Sequence, residues 1–126
     1  MALGTFATVI NCMDGRTQLP VINWALNEYG VDYVDSVTEP GPDGILANGP
    51  KELIDSIKKR VLISVEKHGS KNVAVVSHDL CAGNPVPREQ HLKELRRSVE
   101  LIRSWDLGVN VNGLWVGDDW TVHVVI

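Results

Sequence analysis

The chain has 126 residues, 44% of them hydrophobic and 22% charged, with a formal net charge of −4, which excludes disorder and predicts a single domain over residues 1–126. Its Lys and Arg are scattered and outnumbered by acids, so the basic stripe that a nucleic acid requires is missing and no nucleic-acid partner is expected. No apolar run approaches a bilayer span, Met1-Ala2-Leu3-Gly4 carries no basic and then apolar leader, and two cysteines are too few for a disulfide framework; the expectation is a cytoplasmic protein with no membrane partner, its cysteines held as thiols or metal thiolates.

Thr5 to Asn11 holds Phe6, Val9 and Ile10 and reads as a buried strand that runs into a loop, Cys12-Met13-Asp14-Gly15-Arg16. Pro20 suits the first turn of a helix whose inner face carries Ile22, Ala25, Leu26 and Tyr29 and which Gly30 stops. Val31 to Val37 is the second strand, and the prolines and glycines of Glu39-Pro40-Gly41-Pro42-Asp43-Gly44 predict a loop after it. Lys51 to His68 carries Leu53, Ile54, Ile57, Val61, Leu62 and Val65 at helical spacing, opened by Pro50 and closed by Gly69. Asn72 to Ser77 encloses Val73-Ala74-Val75-Val76, the continuous apolar run of a parallel strand covered on both faces, and it stops at His78. Leu92, Leu95, Val99 and Ile102 recur every three or four residues and predict a helix from about Arg88 to Trp105. Val109 to Ile126 then reads as two strands around Gly117-Asp118-Asp119.

Strands alternating with helices imply an α/β fold: three α/β/α layers, a mostly parallel central sheet, right-handed crossovers and an antiparallel C-terminal edge strand. Ligands of such sheets gather in the loops beyond the strands' carboxyl ends. Two short motifs lie in those loops, Cys12-x-Asp14-x-Arg16 after the first strand and His78-x-x-Cys81 after the third. Two thiolates and an imidazole suit zinc, and three protein ligands leave the fourth position open, as in catalytic rather than structural zinc sites.

In this order and joined by these elements, the two motifs resemble those of the β-class carbonic anhydrases. The likeness continues through Val61-Leu62-Ile63-Ser64-Val65-Glu66-Lys67-His68-Gly69 and Asn72 to Gly83, so that it covers most of residues 5–83 and, more loosely, the closing hairpin. It implies zinc as cofactor with Cys12, His78 and Cys81 as metal ligands, Asp14 and Arg16 as the catalytic carboxylate–guanidinium dyad, carbon dioxide and bicarbonate as substrate and product, and a homo-oligomer, dimer or higher. In that family the aspartate also swings onto the metal when its arginine contact is lost. Two departures stand out: Gly15 replaces a common serine, and Thr38-Glu39-Pro40-Gly41 replaces a frequent Arg-Asn-Ala-Gly. The chain is also shorter than the family norm, which has N-terminal helices that wrap a neighbouring subunit.

Plainer readings compete at each position. A lone cysteine at a strand end is more often a small packed hydrophobe, and the second motif is what turns Cys12 toward a metal. A redox pair would be a Cys-x-x-Cys and would leave His78 without a role. Asp14 and Arg16, as sequence neighbours, otherwise form a surface ion pair of little consequence. The string from His78 to Arg88 is similar to a phosphatase loop, but the histidine is not adjacent to Cys81, and Pro85 and Pro87 remove amide donors that a phosphate cradle needs. Asp79 reads as a cap, His68 as a complement to a helix C-terminus, His91 as solvated, and His123 as a strand-face residue. Trp24, Trp105, Trp115 and Trp120 read as core or interface anchors. The resulting expectations are a zinc enzyme for reversible hydration of carbon dioxide, with a zinc-stabilised non-enzymatic binding or regulatory module, or a hydrolase of another small substrate, as alternatives.

Overall fold

The computed structural model describes residues 3–126, so Met1 and Ala2 of the N-terminal tetrapeptide lie outside the described residues. The elements run β1 (Phe6–Cys12), α1 (Gly15–Tyr29), β2 (Tyr33–Glu39), α2 (Pro42–Asn48), α3 (Lys51–Leu62, continued by a π turn, Ile63–Lys67), β3 (Asn72–His78), α4 (Arg88–Ser104), β4 (Asn110–Val116) and β5 (Val122–Val124). The five strands form one sheet in the order β2-β1-β3-β4-β5. The β1–β2, β1–β3 and β3–β4 pairs are parallel, and β5 returns antiparallel on β4 as the edge that the hairpin signal predicted.

Alternation along each strand sorts its side chains onto two faces. Ile10, Val73, Val75 and Val111 point to one side and pack with Leu46 of α2, Ile57 and Val61 of α3, and Leu95, Val99 and Ile102 of α4. Val9, Ala74, Val76, Leu114 and Val116 point to the other side, against Val21 and Ala25 of α1, with Trp24 and Trp120 beside them. The expected three-layer α/β/α architecture is therefore present, with α1 the one described helix that covers the second face. Full burial of a side chain such as Ile57 or Leu95 stabilises the fold by about 1.5–3 kcal/mol. Both β1 and β3 are central and sealed on both faces, so their carboxyl ends, Cys12 and His78, are fixed side by side.

Four expectations need correction. Helix α1 begins at Gly15, not near Pro20, because the Asp14 carboxylate accepts the Arg16 amide at 2.9 Å and caps an earlier first turn, which leaves Pro20 inside the helix. Its buried stripe is Thr17, Val21 and Ala25, so Ile22, Leu26 and Tyr29 flank the core instead of centring on it. Where a loop was expected after β2, Pro42 opens the helix α2: its fixed φ suits the first helical position, and Gly41 ahead of it makes the left-handed turn. Helix α4 keeps its predicted span, but His91, expected in solvent, is 1% exposed. No described helix is long and apolar enough to cross a membrane.

Candidate metal centre

Three buried side chains converge beyond the carboxyl ends of β1 and β3. Cys12 closes β1, His78 closes β3, and Cys81 follows three residues later, with one ligand atom from each lying within 4.8 Å of the others. The two sulfurs are 3.9 Å apart. His78 Nδ1 donates to the Asp79 carbonyl at 2.7 Å, and the ring's other nitrogen, Nε2, is buried with no hydrogen-bond partner and is the atom left to ligate. A buried polar atom left unpaired costs about 1–3 kcal/mol, so the arrangement calls for something to bind there. Two sulfurs and one imidazole nitrogen at this spacing fit the donor set of zinc.

The backbone around the cysteines favours their ionised forms. Amides of Gly41 and Asp14 point at the Cys12 sulfur, and those of Gly83 and Asn84 at the Cys81 sulfur. The Cys81 thiol, hydrogen-bonded to Cys12, pulls Cys12 down to about 4 against the effect of burial, while Cys81 is pushed upward by Cys12 and then by burial. The two sulfurs are therefore coupled, and binding a cation would require both as thiolates.

Close backbone contact seats the loop that carries Cys81. A Cβ at Gly83 would lie 2.5 Å from the Pro40 carbonyl carbon, and one at Gly41, where φ is +63°, would lie 2.6 Å from Asn84 Cβ. Glycine alone lets the metal loop lie on the turn between β2 and α2. Beneath it, Asn84 Nδ2 donates to Asp43 Oδ1 at 3.1 Å and to Glu94 Oε1 at 3.0 Å, while Asp43 Oδ2 accepts from Ser77 Oγ at 2.7 Å and His91 Nδ1 at 2.6 Å. Burial pushes the Asp43 carboxyl upward, but the bonds from His91, Ser77 and Asn84 outweigh it and hold the group below the usual carboxylate range. Asp43, His91 and Glu94 are near enough to one another to ligate a metal, and His91 Nε2 is likewise buried with no partner, but the Asn84 amide bridges both carboxylates and ties the cluster to the loop as a brace. Sequence reasoning missed it, although His91, Leu95, Ser98 and Ile102 lie on one buried stripe of α4.

Asp14 and Arg16 stand at the rim. Arg16 Nε donates to Asp14 Oδ1 at 3.1 Å and Nη2 to Oδ2 at 2.7 Å, a fork on both carboxylate oxygens. Those bonds hold the Asp14 carboxyl at about 2, from an ordinary value of 3.8. A cleft of about 200 Å³ lies against Cys12, Met13, Asp14, Pro40, Ala82 and Gly83. Larger hollows of about 230 and 250 Å³ open on either side of His68, one toward the amino end of β1 and one between β2 and α3, and contain none of this chemistry.

The remaining singled-out residues have other occupations. Asp79 accepts the Leu80 amide at 3.1 Å, the cap expected of it. His68 stacks on Phe6 with ring centroids 4.1 Å apart and pairs with Asp35 at 2.7 Å, so it braces β1 and β2. His123 is exposed on β5. Glu39 turns to α3 and pairs with Arg60 at 2.7 Å, and a side chain at Gly15 would meet nothing within 4 Å.

A family model described as "Putative carbonic anhydrase" matches residues 2–126. No sequence among the curated proteins compared matches the chain. Among solved structures, the chain is similar to a beta-carbonic anhydrase isoform from Trichomonas vaginalis, with a TM-score of 0.60 and 18% identity over 95% of this chain and 81% of that one. It is similar to a carbonic anhydrase from Streptococcus mutans, with a TM-score of 0.63 and 16% identity over 95% and 81% of the two chains. One of two tetrameric beta-carbonic anhydrases from Sordaria macrospora aligns with a TM-score of 0.51 and 14% identity over 98% of this chain and 82% of its own. At these identities the likeness establishes the fold.

Proposed function

The chain belongs to the "Putative carbonic anhydrase" family, and from that premise we propose that it is a zinc-dependent enzyme for the reversible hydration of carbon dioxide to bicarbonate. The observation that carries this reading is the buried, unpartnered His78 Nε2 beside two sulfurs whose surrounding amides favour thiolates. Cys12, His78 and Cys81 hold the metal in this reading. Bound zinc supplies Lewis acidity and brings the pKa of a water from 15.7 to about 7.

The chain's own contribution is orientation. Asp14, its carboxyl held at about 2, stays ionised through the neutral range and accepts a hydrogen bond from the attacking water, turning that water's lone pair toward the carbon. Arg16 fixes the carboxylate through its fork. The cleft is small and, apart from Cys12 and Asp14, lined by Met13, Pro40, Ala82 and Gly83, which suits a small neutral molecule such as carbon dioxide. Addition of water to the carbon forms bicarbonate and passes one proton to the solvent buffer.

The same reading includes a single cytoplasmic domain that assembles into a dimer or higher homo-oligomer. Met13, Leu19 and Leu80 are exposed apolar side chains near the site, at 64%, 69% and 65%, and one solved relative is described as tetrameric. A second reading, a zinc-stabilised module without catalysis, is favoured by Glu39, which occupies the place of a frequent asparagine and turns away to Arg60.

Metal analysis and stopped-flow carbon dioxide hydration on one sample separate the two. One zinc per chain with hydration above background between about pH 6 and 9 supports the enzyme. Zinc with no hydration leaves the module, and no tightly bound transition metal sinks both.

A further inference from the structure

Arg16 is half exposed, at 50%, and an ion pair so placed would ordinarily fluctuate and contribute little. Here the guanidinium is held from more than one side. Its Nη2 donates to the Leu80 carbonyl at 3.4 Å as well as to Asp14, and its Cζ lies 4.5 Å from the centre of the Trp120 ring. Leu80 and Trp120 come from different loops, the metal loop after β3 and the turn between β4 and β5.

Both residues occupy unusual backbone conformations. Among the described residues three non-glycine positions have positive φ, Leu80 at 58°, Asp106 at 54° and Trp120 at 59°, and two of these three converge on Arg16. The turn that carries Trp120 is tied on both sides, by Trp120 N–H to the Gly117 carbonyl at 3.0 Å and by Thr121 N–H to Asp119 Oδ1 at 3.0 Å. Trp120 is also packed against the sheet face formed by Val9, Ala74, Val76, Leu114 and Val116, with its ring 6.3 Å from that of His78. It is thus anchored to the sheet while its ring covers the cation.

We propose that Trp120 is a positioning residue: with the Leu80 carbonyl it clamps the Arg16 guanidinium in its fork with Asp14, and so keeps that carboxylate from turning toward the metal. The first part stands on the contacts above; the second rests on the metal reading of Cys12, His78 and Cys81. A cation released from the indole pairs more loosely with Asp14, and a carboxylate that loses its fork is free to seek another cation.

The test reads the two parts separately. Exchange of the Arg16 Nε–H with water, followed by nitrogen-edited NMR on the full chain as purified, should be about two- to fivefold faster in Trp120→Leu, while Trp120→Phe, which keeps an aromatic face, should stay near wild type. Unchanged exchange in a folded Trp120→Leu overturns the clamp; should that variant not fold, Trp120→Met is read in its place, faster exchange supporting the clamp and wild-type exchange overturning it. In the cobalt(II)-loaded chain at one neutral pH, Trp120→Leu should show a visible spectrum changed from wild type in a way that adding Asp14→Asn removes. A spectrum that does not respond overturns the second part, and a wild-type chain that takes up no cobalt overturns the metal reading, while the exchange rates still decide the clamp.

Discussion

Asp14 combines two tasks at one carboxylate: Oδ1 accepts the Arg16 amide and caps α1, and both oxygens receive the Arg16 side chain. Asparagine is as good a cap as aspartate but brings no charge to the fork. Asp14→Asn should therefore keep the cap and the zinc content and lower the melting temperature only by what the solvent-screened fork contributes, while carbon dioxide hydration falls roughly ten- to a thousand-fold, as for loss of an orienting group. A variant with wild-type turnover in stopped-flow assays would remove Asp14 from the mechanism. The pH dependence has a definite sign. A carboxyl at about 2 in the fold and about 3.8 when free contributes stability that is fully present above its ordinary value and is lost as pH falls from about 4 through 2. Removing the fork in Arg16→Ala should return the Asp14 titration, followed by carboxyl carbon NMR, toward its ordinary value. A midpoint that stays near 2 would assign the depression to the helix amide instead. The residue types at this site were legible before the structure because thiolate, imidazole and carboxylate have few roles in loops at strand ends. Trp120 was not, since its contact with Arg16 spans most of the chain and follows from a turn conformation that the sequence does not specify.

At the scale of elements, two loops press together: the metal loop lies on the turn between β2 and α2 with no room for a side chain at Gly83. Gly83→Ala must move the backbone next to Cys81, and a chelator-competition titration should show zinc affinity lower by about tenfold or more, the range seen when support of a ligand is disturbed. Gly15→Ala is the control, because a Cβ there meets nothing within 4 Å and the position is helical; it should stabilise the fold by about 0.4–1 kcal/mol with metal affinity unchanged. Equal zinc affinities for the two variants would show that the loop contact does not position Cys81. The strands were legible because their apolar runs admit no other element between turn signals, and α3 and α4 because their apolar spacing is helical. What was not legible turned on local competition. Pro42 and Gly44 look like breakers, yet a proline at the first helical position starts α2, and the Asp14 cap moves the start of α1 ahead of Pro20. His91 sits among Arg88, Glu89 and Gln90 in sequence, and only the partner it meets across the fold, Asp43, draws it inside.

On the scale of the whole molecule, the candidate metal centre is a junction. Its three donors come from the ends of two central strands and from the loop between β3 and α4, and that loop is braced through Asn84 to both α2 and α4. A cation bound to all three donors joins segments separated by 69 residues of chain, Cys12 to Cys81, and the unfolded chain has no such preformed set. Binding free energy is then folding free energy: free zinc at a hundred times its dissociation constant stabilises the native state by about 2.7 kcal/mol, which for a domain of this size is roughly 10 °C in melting temperature. Chelator added to the zinc-loaded chain should lower the calorimetric midpoint by about that amount, and added zinc should restore it. Cys81→Ser, whose neutral hydroxyl is a poor zinc ligand, should melt near the stripped wild-type midpoint and respond to neither treatment. A midpoint that chelator moves by less than about 1 °C would mean that metal is not part of the folded state, and with it the enzyme and the zinc-stabilised module would both fall. A shift seen equally in Cys81→Ser would place the metal elsewhere, and the buried Asp43, His91 and Glu94 brace would be the next set of donors to remove.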